Sequence, residues 1–452
     1  MTQNSPVNIK ALAPSLERLL SRAKHYGASG ADAIATHGFS LSVSVRDGDL
    51  EDVDNSEGRD VGLRVFVGQR QACVSSSDLS ETSLDQLAER CVAMARLAPI
   101  DPYCGLAPED HIVKKPPDLD LFDTSPSSPE FLKDRAHALE GAAMGVKNVR
   151  QAEGASASWA QSAICFKTSE GFSDGWLSSR HGLSVSAIAE KDGFMERDSD
   201  YDGTRWFDDL KTPEKIGQIA GKRAVNRLGS QQLTSGVLPV IFDRRVSGGL
   251  IAALIGAISG PAITRGLSFL KDDLGTVILP KTLNIIDDPH ILRGHGSRPW
   301  DGEGVGVKKR HLVENGVLKT WLLNTASARQ LGLATTGHAS RGIGSPPGVS
   351  ATNSYLEAGS QTPQELMALM GNGLWVSEMF GPSLNSNTGD YSVGVAGFKI
   401  ENGERAYPVS EITIAGNLRD MYKTIIPAND LIFDGAIVAP TVLTQGLTIA
   451  GL

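Results

Sequence analysis

The stretch TGDYSVGVAGFKIENGERAYPVSEITIAGNLRDM, Thr388 to Met421, decides how the second half of this chain folds. Val393, Val395 and Phe398 alternate with small or polar residues, the period of a half-buried strand. Glu401-Asn402-Gly403-Glu404 follows, and Asn-Gly between two alternating runs predicts a tight hairpin. The opening Thr388-Gly389-Asp390-Tyr391-Ser392 reads as another turn, since Gly permits positive φ and Asp bonds its own backbone. By residue chemistry alone the region is a β-meander, and that says little about function.

Working outward, Leu238 to Phe242 predicts a strand leading into an apolar helix from about Arg245, RRVSGGLIAALIGAISG. The rest of the C-terminal half is rich in glycine and β-branched residues, with one short helix at Pro363 to Met370. Residues 236–452 therefore read as a curved, barrel-like, largely antiparallel domain. A boundary falls near Ser230 to Gly236.

Residues 1–235 read as an α+β domain without regular βαβ alternation. Leu12, Leu16, Leu19, Leu20 and Ala23 give helical spacing, with Gly27 placed to end the helix. Leu41, Val43 and Val45 alternate ahead of an Asp47-Gly48 turn, and Val61 to Val67 and Gln71 to Ser76 continue as strands. A second helix is expected from about Leu84 to Leu97, with Ser83 and Gln86 as a capping box. Residues 99–129 hold seven prolines and read as a linker or surface loop. A third helix begins at Ser128-Pro129, short strands joined by glycine turns fill about 149–189, and a fourth helix spans Pro213 to Leu228. The fold class is thus α+β throughout, with antiparallel strands and packed helices first and a β-rich domain second.

Composition excludes several functions. The 452 residues carry 43 basic and 52 acidic side chains, a formal charge of −9, and an acidic excess argues against direct nucleic-acid binding. The most apolar run, Val246 to Ile263, is broken by four glycines and a proline, so no membrane span is expected. MTQNSPVNIK lacks the pattern of a secretory signal, and a cytoplasmic setting is the expectation. Cys73, Cys91, Cys104 and Cys165 form no CxxC pair and read as reduced thiols.

Catalytic motifs are scarce. The glycine-rich 302–306 and 342–344 stretches do not continue as nucleotide loops. Gly337-His338-Ala339-Ser340-Arg341-Gly342 misses the GxSxG elbow. No HExxH occurs. Asp287, Asp288, His290, His295, Asp301 and Glu303 form the richest group of potential metal ligands, without helical spacing; a stand-alone hydrolase built on them is one reading to test.

Thr388 to Met421, and Tyr407 to Met421 above all, resembles the conserved C-terminal region of the TldD/PmbA family, in its PmbA (TldE) branch. Leu238 to Gly260, Ser268 to Pro280 and Trp321 to His338 extend the resemblance. It implies a subunit of a cytoplasmic protease system acting on unfolded or modified peptides, paired with a TldD-type catalytic subunit that binds zinc through HExxxH and a later cysteine. That register falls here on Ala252-Ala253-Leu254-Ile255-Gly256-Ala257. Ala252 and Ala257 stand for the histidines and Ala253 for the glutamate, and no cysteine follows position 165. A methyl group neither ligates zinc nor takes a proton. The expectations are no catalytic residue and no metal in this chain, zinc in the partner, a helix packed into the core, and peptide contacts at Thr388, Gly389, Asp390, Tyr391 and Ser392. A homodimer is expected in isolation. The alternative is a peptide-binding or scaffold protein linked to DNA gyrase, with no protease role.

Overall fold

A computed structural model describes residues 7–452. In the N-terminal half, six strands form one antiparallel sheet: β1 (Gly30–Arg46), β2 (Asp49–Phe66), β3 (Gln71–Ser76), β4 (Val149–Thr168), β5 (Ser173–Lys191) and β6 (Phe194–Thr204), in the order β3-β2-β1-β4-β5-β6. Asp47 and Gly48 turn β1 into β2 with φ of 54° and 79°, the left-handed pair that a two-residue hairpin needs. Alternation places Ala31, Ala33, Ala35, Leu41, Val43 and Val45 of β1 in the core. Helices α1 (Ala13–His25) and α2 (Glu81–Leu97) cover one end of that face, and α3 (Pro129–Met144) and α4 (Pro213–Asn226) cover the other.

The α+β expectation holds, with corrections in detail. The expected short strands over 149–189 are two long ones, because small residues such as Ala155, Ala157 and Gly182 continue a strand as well as break one. β2 begins at Asp49, twelve residues before its apolar part starts at Val61, since β1 pairs with its exposed acidic half. The cap of α2 is Ser80, which accepts from the Ser83 amide, and the helix starts at Glu81. The proline-rich 99–129 stretch is no simple surface loop. Leu119, Leu121 and Asp123 are buried, and Ser179 N of β5 donates to Leu121 O at 3.0 Å.

In the C-terminal half, β7 (Gly236–Phe242) runs parallel to Gly373–Leu384 and antiparallel to Val442–Ala450. The meander of Gly373–Leu384, Asp390–Glu401 and Glu404–Asn417 follows the hairpins foreseen. Glu404–Asn417 then pairs with Val442–Ala450, closing a five-strand barrel. Asn402 and Gly403, at φ 52° and 81°, make the second hairpin turn. Helix α5 (Arg244–Ala257) shares one core with Val240, Phe242, Val376, Val393, Ile414 and Ile449. Among the described residues no helix is long and apolar enough to cross a membrane.

The two halves are joined through the sheet face opposite the helices. Ile34 and Phe166 pack on Trp300, whose Nε1 donates to Asp174 at 2.9 Å. Asp32, fully buried, receives Arg64 Nε at 2.6 Å and Arg341 Nε at 3.3 Å, and Glu303 lies 3.7 Å from Arg64. Gly62 is required here: a Cβ on it would sit 1.8 Å from Ile343 O. Arg245 at the start of α5 reaches Asp198 of β6 at 3.0 Å, which ties that helix to the N-terminal sheet.

Candidate functional site

Helix α5 is set by its ends. Asp243 accepts from the Arg245 amide at 3.0 Å as the N-cap. At the other end Ser268 Oγ donates to Ala257 O at 2.6 Å and stops the helix. Leu250, Ile251, Leu254 and Ile255 face inward, and Tyr422 Oη donates to Leu250 O at 2.8 Å. Gly248 lets the helix approach the backbone of Ile437, whose oxygen would lie 2.8 Å from a Cβ. The expectation of a helix simply packed into the core therefore holds for one face only.

The other face is open. Ala252 and Gly256 are exposed and Ala253 is half-buried. Together with Ala257 they floor a cleft of about 680 Å³, in the size range of ligand sites. Its walls are Ala262, Arg265, Leu267, Phe269 and the hairpin tip Leu384 to Asn387. The three register positions thus converge on one cavity. Their methyl groups supply no lone pair, and no zinc chemistry can be routed through them.

Thr388 to Ser392 brace this cleft rather than line it. Thr388 Oγ1 donates to Asp390 at 2.7 Å, and Asn417 Nδ2 donates to Thr388 O at 2.9 Å and to Asp390 at 3.0 Å. The Thr388 and Asn417 hydrogen bonds hold the Asp390 carboxyl below the usual carboxylate range. Gly389 is buried at φ 82°, and a Cβ there would lie 3.3 Å from Phe269 and from Asn417. Tyr391 is buried against Met379, and burial pushes its hydroxyl up to about 12. Ser392 is half-buried in the following strand. Asn385, Ser386 and Asn387, in the first half of the same hairpin turn, present the polar wall. Phe269 N fixes them by donating to Ser386 O at 2.7 Å. Sequence reading missed them, since an Asn-Ser-Asn run looks like any loop.

The Asp287 to Glu303 group disperses. Asp287 is buried and accepts from His338 Nε2 at 3.0 Å, Thr352 N at 2.7 Å, and the Thr352 and Ser354 hydroxyls at 2.6 Å each. Burial would raise its carboxyl, but these hydrogen bonds, led by His338, outweigh it and hold it far below the usual range. His338 Nδ1 meets Thr336 Oγ1 at 2.8 Å, and burial disfavours the charged imidazole. Asp288 faces Lys309 at 3.4 Å, His290 is exposed, and His295 lies under Arg205, which donates to its carbonyl at 2.9 Å. Asp301 accepts backbone amides of Glu303, Val305 and Ala339 at 2.9 to 3.0 Å, while burial and the Glu303 charge push its carboxyl up to about 7. Glu303 turns away to accept Thr325 N at 2.8 Å. Among the described residues no three His, Cys, Asp or Glu side chains meet as a metal site.

Comparison with known proteins gives one consistent answer. Three family models match in sequence: PmbA/TldA metallopeptidase domain 1 over residues 31–95, the central domain over 122–228, and the C-terminal domain over 235–451. The chain is 39% identical to Metalloprotease PmbA of Escherichia coli O157:H7, over 93% of this chain and 92% of that protein. It is 35% identical to a Haemophilus influenzae Metalloprotease PmbA homolog over 99% of each. A Bacteroides thetaiotaomicron crystal structure named as a modulator of DNA gyrase superposes with a TM-score of 0.89 at 25% identity, covering 100% of both chains. TldE from Thermococcus kodakarensis shares the fold, with a TM-score of 0.84 at 20% identity over 97% of this chain and 100% of that one.

Proposed function

This chain belongs to the PmbA/TldD metallopeptidase family, and from that premise we propose that it is a PmbA/TldE-type subunit that acts on unfolded or modified peptides only together with a TldD-type partner. One observation supports this above the others. The register of the partner's HExxxH helix falls on α5, faces a cleft, and carries Ala252, Ala253 and Ala257 there. A shaped cavity is kept at the position of the chemistry while the imidazoles and carboxylate are not.

In this reading the partner supplies the zinc and the water-activating base, and this chain supplies walls and a peptide-holding surface. The cleft floor admits the backbone of an extended chain, because nothing larger than a methyl group projects from it at four positions. Asn385, Ser386 and Asn387 offer amide and hydroxyl groups that can pair with a peptide main chain. Thr388 to Ser392 act by holding that tip in place. The setting is cytoplasmic, and the isolated chain forms a homodimer through the surface that otherwise meets the related subunit.

The test is co-expression with a TldD-type subunit. A stable heterodimer with chelator-sensitive peptidase activity is expected, and the chain alone is expected to hydrolyse nothing and to bind no stoichiometric zinc. Peptide hydrolysis or one zinc per chain in the purified protein alone would overturn the reading.

A further inference from the structure

The cleft over α5 carries a charge that its apolar floor does not require. Among the described residues that line it, Arg265 is the single ionisable one. Its Nε donates to Pro261 O at 2.9 Å, which fixes the root of the guanidinium. No carboxylate pairs with it among the described residues, although most of the other arginines of the chain meet one: Arg64, Arg223, Arg227, Arg244, Arg245 and Arg419 all do. Opposite stand Asn385, Ser386 and Asn387, uncharged and exposed. Asn385 Oδ1 already accepts the Asn387 amide at 3.0 Å, so its Nδ2 remains as a donor.

We infer that this cleft selects an extended peptide segment carrying an acidic side chain, whose carboxylate meets Arg265 while its backbone lies along Ala252, Ala253 and Gly256. The inference rests on the peptide-holding role proposed above and names the class of peptide. Charge complementarity supports it. An arginine presents paired N–H donors in a geometry matched to a carboxylate, and this one has its terminal nitrogens uncommitted to any acid. The apolar contacts with Leu267, Phe269 and Leu384 are indifferent to sequence, so the guanidinium supplies the discrimination. A lysine in the same peptide position would face like charge.

The experiment uses the full-length chain and fluorescently labelled pentapeptides with acetylated N-termini and amidated C-termini, identical except for Glu, Gln or Lys at the central position. By fluorescence anisotropy at low salt the Glu peptide should bind about two- to fivefold more tightly than the Gln peptide, the range open to an exposed ion pair. The advantage should shrink as salt is raised. Arg265→Ala should abolish it with an unchanged melting temperature, and Arg265→Glu should favour the Lys peptide. Equal binding of the Glu and Gln peptides overturns the inference but leaves the peptide-holding role standing, as does a preference that survives Arg265→Ala. A Gln peptide with a free C-terminal carboxylate that gains affinity where the Glu peptide does not also overturns it. If none of the peptides binds, or if binding survives Ala253→Trp, which fills the cleft, the peptide-holding role fails as well.

Discussion

Two regions of the C-terminal half divide what a catalytic site would need to combine. The cluster around Asp287 has the chemistry of one: a carboxylate, an imidazole and a hydroxyl in line, with contacts of 3.0 Å and 2.8 Å. It has no access, since Asp287 is 1% exposed and His338 2%. The cleft over α5 has access and shape, but its floor is methyl groups and a glycine. Polar groups at the first place are spent on each other and on the backbone, which is how buried charge is made tolerable. At the second, no polar group is needed because nothing there is buried that water would hold. Motif reading cannot separate the two, because His and Asp read alike in a core and in a site.

The comparison breaks most directly at Asp287. Asp287→Ala leaves His338, Thr352 and Ser354 without their shared acceptor, and should cost about 3–5 kcal/mol, the scale for removing one partner of a buried pair. Ala252→Glu, on the exposed face of α5, should change stability by no more than about 0.5 kcal/mol. Urea unfolding of the two variants checks both figures. Similar costs would mean that the two regions do not differ as described.

Titration sharpens the same contrast. Asp287 is ionised in the folded state well below its ordinary 3.8, so its contribution is present above that pH and is lost as pH falls through and below it. Asp301 holds its proton up to about 7 against an ordinary 3.8. The folded state therefore binds more protons between those values, and its contribution is lost as pH rises through about 7. Urea midpoints should peak near pH 4, falling below it with Asp287 and falling from there to about 7 with Asp301, and Asp301→Asn should flatten the second limb. Peptide affinity in the cleft, where the only charge among the described residues is an arginine, should stay level from pH 5 to 8.

Much of the fold was legible because its determinants are local. The alternation after Tyr391, the Asn402-Gly403 turn, the Pro363–Met370 helix and the Ser128 cap each depend on a few neighbouring residues. What stayed hidden depends on partners far along the chain. The outer half of β2 is a strand because β1 lies beside it. Leu121 is buried because Ser179, 58 residues along the chain, holds its backbone against β5. Ser268 caps a helix from eleven residues beyond its end. The site was half legible for the same reason. The register of alanines could be placed by resemblance, but that they face a cleft, and that Asn385 to Asn387 rather than Thr388 to Ser392 line it, follows from contacts between distant segments such as Phe269 N to Ser386 O.

Gly389 tests that division of labour between bracing and lining. Gly389→Ala must hold a side chain at φ 82°, at about 1–2 kcal/mol for the left-handed backbone, and its Cβ presses on Phe269 and Asn417. Stability should fall by that amount, and peptide affinity should fall with it, because Phe269 anchors Ser386. If the melting temperature drops and affinity does not, the turn supports the barrel alone.

The smallest expected effect separates stability from function most cleanly. Gly256 lies in the last turn of α5, and a Cβ added there would meet nothing within 4 Å. A glycine with helical backbone and open space around it gains from alanine, since the unfolded chain loses freedom that the folded helix never used. Gly256→Ala should therefore stabilise the protein by about 0.5 kcal/mol. If an extended peptide lies against this face, the new methyl group stands where the peptide backbone approaches, and affinity should fall while stability rises. Gains in both would mean that the peptide does not reach the end of the helix. The opposite signs follow only if the open space over Gly256 is kept for a ligand, because packing within the chain gives no reason for a glycine at that position.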